Sequence, residues 1–146
     1  MQQELHVYYL NRLDPKPWHG TILVKYKNLT SPQELRDKRN DMPKALNGGY
    51  HLSYMGGKDR VIKKMRSIVD GNWFVENSKD NLTDVEHVED VMEKGTDPYN
   101  RPGAIEAVPC NVEDIRLPNI KEFVQKYPYV LVAHQLSINL VYLYYL

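Results

Sequence analysis

Tyr50-His51-Leu52-Ser53-Tyr54-Met55, followed at once by Gly56-Gly57-Lys58, is the stretch that decides the fold. Its first six residues are aromatic and apolar enough to read as a strand. Two glycines then break the chain. Beyond them Val61, Ile62, Met65, Ile68 and Val69 recur at i, i+1, i+4, i+7 and i+8, the single apolar stripe of a helix. Lys58, Arg60, Lys63, Lys64 and Arg66 fill the rest of its circumference, and Asp70-Gly71-Asn72 ends it. A strand that turns through glycine into an amphipathic helix is a β-α unit, and the rest of the chain must supply its partners.

Toward the N-terminus, Leu5 to Leu10 reads as a strand and Asn11 to Gly20, with Pro15 and Pro17, as a loop. Thr21 to Lys27 reads as a second strand. Ser31-Pro32-Gln33-Glu34 opens a helix, with Ser31 as cap, Pro32 at the first helical position and Glu34 placed for a capping box. Pro43 ends or kinks that helix.

Toward the C-terminus, Trp73-Phe74-Val75 reads as a short strand or buried turn. Thr83 and Glu86 form a capping box ahead of a helix striped by Val85, Val88 and Met92, running to about Lys94. Gly95 to Gly103 is a loop and Ala104 to Val108 a strand. Asn111 is placed to cap a turn. A helix from Pro118 carries Ile120, Phe123, Val124 and Tyr127, and Pro128 stops it. Tyr129 to His134 and Ile138 to Tyr145 read as strands. This order predicts an α+β chain, one domain over residues 1–146, with a mixed sheet of about five to seven strands and about four helices.

The chain has 146 residues, 42% hydrophobic and 26% charged, which is too apolar for disorder and long enough to bury a core. No apolar run reaches the roughly 18–20 residues of a membrane span, and Met1-Gln2-Gln3-Glu4 has no leader-like character, so no membrane partner is expected. The single cysteine, Cys110, cannot form an internal disulfide, which makes a cytoplasmic setting the expectation.

Net charge is zero, with 19 basic and 19 acidic groups, but the distribution is uneven. Residues 31–70 carry nine basic and five acidic groups, whereas residues 71–100 carry two and eight. Such asymmetry marks either an anion-binding face or two halves that neutralise each other, within the fold or across a subunit contact.

The chemistry sits at the same stretch. A glycine turn exposes backbone N–H groups, and a helix start carries partial positive charge, so the two together attract phosphate or carboxylate. Gly56 and Gly57 supply the turn, Lys58 and Arg60 add cationic donors, and Tyr50 and Tyr54 offer ring faces to a base. The sequence is neither a Walker loop nor a dinucleotide-binding glycine fingerprint. No histidine pair has helical metal-ligand spacing, so no metal or cofactor is expected. Cys110 reads as an inert, partly buried thiol.

Two short resemblances accompany this reading. His19-Gly20-Thr21 and Gly49-Tyr50, with Glu106 as a third member, resemble elements of ADP-ribosyltransferases, which implies a nucleotide-acting transferase as the enzymatic alternative. Gly56-Gly57-Lys58 and Asp97-Pro98-Tyr99 resemble short motifs of one class of adenine methyltransferases. The second proline of that motif is missing, and no function is carried over from it.

The expectation is a small binding or inhibitory module, of the kind found as accessory proteins of viruses and mobile elements. It captures a phosphate-bearing small molecule, a nucleic-acid backbone or an acidic protein surface. Catalytic residues are not identifiable, and the enzyme alternative is a transferase or phosphodiesterase acting on nucleotides. The final segment, Ile138 to Leu146, is apolar on both alternating faces apart from Asn139, which predicts a homo-oligomer joined through the C-terminal strand.

Overall fold

In the computed structural model, which describes residues 1–132 apart from the side chains of residues 69, 70 and 72, the decisive stretch forms strand β3 (Tyr50–Ser53) and helix α2 (Lys58–Ser67). Strand β1 (Gln3–Val7) pairs with β3 in parallel, Leu5 opposite His51 and Val7 opposite Ser53. On its other side β1 pairs antiparallel with β2 (Arg12–Trp18), and β2 pairs with the short β4 (Val108–Pro109). The sheet is mixed, with order β3-β1-β2-β4. The remaining helices are α1 (Pro32–Lys38), α3 (Val69–Asn77), α4 (Val85–Lys94) and α5 (Ile120–Lys126). The class is therefore α+β with one mixed sheet, and the described residues hold four strands and five helices.

Several expectations are corrected. The proline-bearing stretch after Asn11 is strand β2, not a loop. Its prolines lie beyond Leu13, the last residue that β4 reaches, and across the irregularity in the β1–β2 register, where no ladder N–H is needed. Thr21 to Lys27 joins no sheet and holds only a 3-10 turn at Tyr26–Asn28, because β-prone residues need a neighbouring strand and a buried face. Trp73, Phe74 and Val75 belong to helix α3. The strand expected over Ala104 to Val108 shrinks to β4 and a bridge between Thr96 and Glu106. Pro128–Val130 is a 3-10 turn. The strand expected over Ile138 to Tyr145, and the oligomer contact assigned to it, lie outside the described residues.

The caps explain the helix boundaries. Ser31 Oγ accepts from the Glu34 N–H at 3.1 Å and starts α1 behind Pro32. Helix α4 is capped by Asp84, whose carboxylate accepts from the Glu86 N–H at 3.0 Å, rather than by Thr83. The Thr83 hydroxyl accepts instead from the Arg66 guanidinium at 2.9 Å. At the far end of α4, Gly95 takes the left-handed conformation, φ +76°, and the buried Arg12 fork donates to the carbonyls of Glu93, Lys94 and Ala107. A guanidinium at a helix C-terminus meets the negative end of the dipole.

The main core sits between one face of the sheet and two helices. Leu5 and Val7 of β1 pack with Val61 and Met65 of α2 and with Val88, Val91 and Met92 of α4. Burying each such side chain contributes about 1.5–3 kcal/mol. This anchors α2 so that its start lies next to α4. A second cluster gathers Leu10, Val112, Ile115, Ile120 and Leu131 around α5.

Candidate functional site

The turn from β3 into α2 holds three left-handed residues, with Met55 between the first and the second. Tyr54 has φ +58°, Gly56 φ +101° and Gly57 φ +84°. Glycine is the residue that takes such angles without a Cβ penalty. Gly57 is the N-cap and provides no side-chain acceptor. The Arg60 and Val61 N–H groups both return to the Gly57 carbonyl at 3.1 Å. The Lys58 and Asp59 N–H groups have no acceptor among the described residues. A Cβ placed on Gly57 would meet nothing within 4 Å, so the N-cap position itself borders open space.

Charge is arranged unevenly around this start. Arg60 folds back over Gly56, where an added Cβ would lie 2.5 Å from its Cδ. Lys58 is exposed and pairs with the Glu89 carboxylate of α4. The hydrogen bond and the charge of Glu89 raise the Lys58 pKa. Between the helices runs a cleft of about 320 Å³, lined by Tyr9, Gly57, Lys58, Glu89, Met92, Glu93 and Val132.

Four of the six residues expected at the site, Gly56, Gly57, Lys58 and Arg60, come together here. The two tyrosines do not join them. Tyr50 opens β3, and strand alternation places it with Leu52 on the sheet face opposite Ser53 and α2, its ring 5.9 Å from that of His6. The Tyr54 ring lies 5.8 Å from that of Tyr8, and Lys64 Nζ sits 4.0 Å above its centroid. Burial, with Tyr99 and Asp97 alongside, pushes the Tyr54 hydroxyl above the usual tyrosine range. Neither ring is placed to receive a base beside Lys58. Tyr9, which lines the cleft, is the aromatic neighbour that sequence reasoning missed, and Glu89 is the missed charge. Glu89 lies in the acidic stretch, so part of the charge asymmetry is neutralised within the fold at Lys58.

Behind the turn stands a second polar group. Lys64 Nζ donates to Ser53 Oγ at 3.0 Å, and burial lowers the lysine pKa. Burial, followed by the Lys64 charge, also lowers the pKa of His51, whose ring stacks on Trp18 at 4.6 Å. Asp97 accepts from the N–H groups of Tyr99 and Arg101 and, at 3.0 and 2.7 Å, from the Arg101 guanidinium. That is a loop-holding carboxylate.

The other candidates are dispersed. Glu106 pairs with Lys16 at 3.2 Å. Cys110 is half-buried, and burial raises its thiol pKa. Among the described residues no three histidine, cysteine or carboxylate side chains stand together as metal ligands. No helix among them is long and apolar enough to cross a membrane. No protein-family model matches the chain, and no curated protein or solved structure matches it significantly.

Proposed function

We propose that this chain is a small binding module that captures a phosphate-bearing ligand, a nucleotide or a nucleic-acid backbone, at the open start of α2. The observation that carries the reading is the uncapped turn at Gly57, with free N–H groups at Lys58 and Asp59 and cationic side chains at Lys58 and Arg60. Phosphate oxygens are suited to accept from these donors while the helix dipole and both cations offset their charge. Tyr9 supplies the apolar wall of the cleft. Glu89 occupies Lys58 in the free protein, so the ligand must displace a carboxylate to reach it. That exchange favours a ligand carrying more charge than one carboxylate, as a di- or triphosphate does.

Titration calorimetry with ATP and with inorganic pyrophosphate tests this. Binding of either is expected to weaken roughly tenfold in Lys58→Ala with Arg60→Ala. It is expected to strengthen in Glu89→Gln, which frees Lys58. Recovery of ATP chemically unchanged by mass spectrometry separates a binding module from an enzyme. Equal affinity in all three proteins contradicts the assignment.

A further inference from the structure

Between β2 and β3 the chain makes a long excursion, residues 19–49, in which no residue is buried. Leu23 is 86% exposed, Tyr26 90%, Leu29 51% and Leu46 68%. Helix α1, seven residues long, buries none of its side chains. An isolated helix that short is marginal in water even with good helix formers. Among the described residues, the arm is fastened to the rest of the chain near its ends. The Met1 ammonium donates to the Thr21 carbonyl at 2.7 Å, the Gln2 N–H to Ala45 at 2.8 Å, and the Gly48 N–H to Gln2 at 2.7 Å. Its middle carries apolar side chains with nothing upon them, which is the character of a contact surface.

Its charge states what the contact is with. The arm holds six basic groups, among them Arg36, Lys38 and Arg39, against three acidic ones. The same chain presents the complement. On α4, Glu86, Glu89, Asp90 and Glu93 fall at i, i+3, i+4 and i+7, so they form one exposed stripe opposite the buried Val88, Val91 and Met92. Lys58 and Lys94 partner Glu89 and Asp90, while the carboxylates of Glu86 and Glu93 form no ion pair among the described residues.

We propose that the arm of one copy docks along the acidic stripe of α4 in a second copy. Arg36, Lys38 and Arg39 face the stripe, and the exposed leucines and Tyr26 are covered in the contact. Every copy carries both surfaces, so reciprocal docking closes a dimer. Complementary surface charge sets the partner and the register, and the covered apolar side chains hold the contact.

Sedimentation velocity across micromolar concentrations, at low and at high salt, tests the proposal with the full chain. Wild type is expected to be dimeric at low salt and to shift toward monomer at high salt. Arg36→Glu with Lys38→Glu and Arg39→Glu, or Glu86→Lys with Glu93→Lys, is expected to raise the dimer dissociation constant roughly a hundredfold. Mixing the two variants is expected to restore a dimer, because each then offers the surface that the other lacks. Arg36, Lys38, Glu86 and Glu93 are exposed and Arg39 is half-buried, and an unchanged circular dichroism spectrum checks folding. A wild-type monomer at every concentration and salt overturns the proposal. So does a dimer that both charge reversals leave intact, since its contact then lies elsewhere. So does an arm that gains hydrogen-exchange protection only when single-stranded nucleic acid is added.

Discussion

Two helix starts in the basic half of the chain carry opposite solutions to the same problem. Helix α1 begins at Ser31, whose hydroxyl takes up an open N–H, and the helix buries nothing. Helix α2 begins at Gly57, which takes up none, and the helix buries Val61 and Met65. The comparison sets out what the proposed anion site requires. Its donors must be left unsatisfied by the chain, and the helix that holds them must be fixed by something other than its cap. At α1 the cap is closed and the body is loose. At α2 the cap is open and the body is anchored in the core.

The largest expected effect strikes the anchor. Met65→Ala should cost about 2–5 kcal/mol in denaturant unfolding, through lost burial and the cavity left behind. Phosphate binding should fall with it as α2 loses its fixed position. If affinity survives that loss unchanged, the packing behind α2 is not what presents the turn.

Next in size is an alkaline transition. Burial holds the Tyr8 hydroxyl, like that of Tyr54, above the usual tyrosine range. Below pH about 10 both folded and unfolded tyrosines keep their protons, and stability is unaffected. Above it the unfolded state loses its protons first, so stability should fall by up to about 1.4 kcal/mol per pH unit for each tyrosine. Unfolding midpoints at pH 9 and 11 read this directly. Midpoints that do not fall above pH 10 would mean that these rings are wetter than their packing implies.

Helix α4, both capped and packed, lies between the two cases. Asp84→Ala should cost about 0.5–2 kcal/mol as a lost cap. Thr83→Ala removes no cap, only the hydroxyl that accepts from Arg66 and donates to Asn81 Oδ1. The smallest effect belongs to Ser31→Ala. The lost cap should reduce far-UV helicity, yet the global midpoint should move by less than about 0.5 kcal/mol, because no buried surface depends on α1. A larger shift would show that the arm is tied to the core.

The α2 start was legible because its signals are local and agree. Glycine, stripe and basic residues stand within twenty positions, and each says the same thing. Ser31 was legible for the same reason. What could not be read depends on distant partners. The Tyr54 ring is withdrawn from the surface by Tyr8, which lies in the hairpin turn after β1, and is covered by Lys64 one helix away. Lys58 meets Glu89 across 31 positions. Thr21 to Lys27 has strand-like residues but no strand beside it, while β2 has prolines that fall where no hydrogen bond is required. Thr83 and Asp84 both suit a cap, and only the approach of Arg66 to Thr83 separates their roles.

The most direct test follows backbone amides in ¹⁵N-labelled protein during titration with inorganic pyrophosphate. The expected result is a saturable shift at Gly57, Lys58 and Asp59, with Glu34, whose N–H is taken up by Ser31, unmoved. Shifts of equal size at both helix starts, or none at Gly57 to Asp59, would contradict the assignment of the open turn as the anion site.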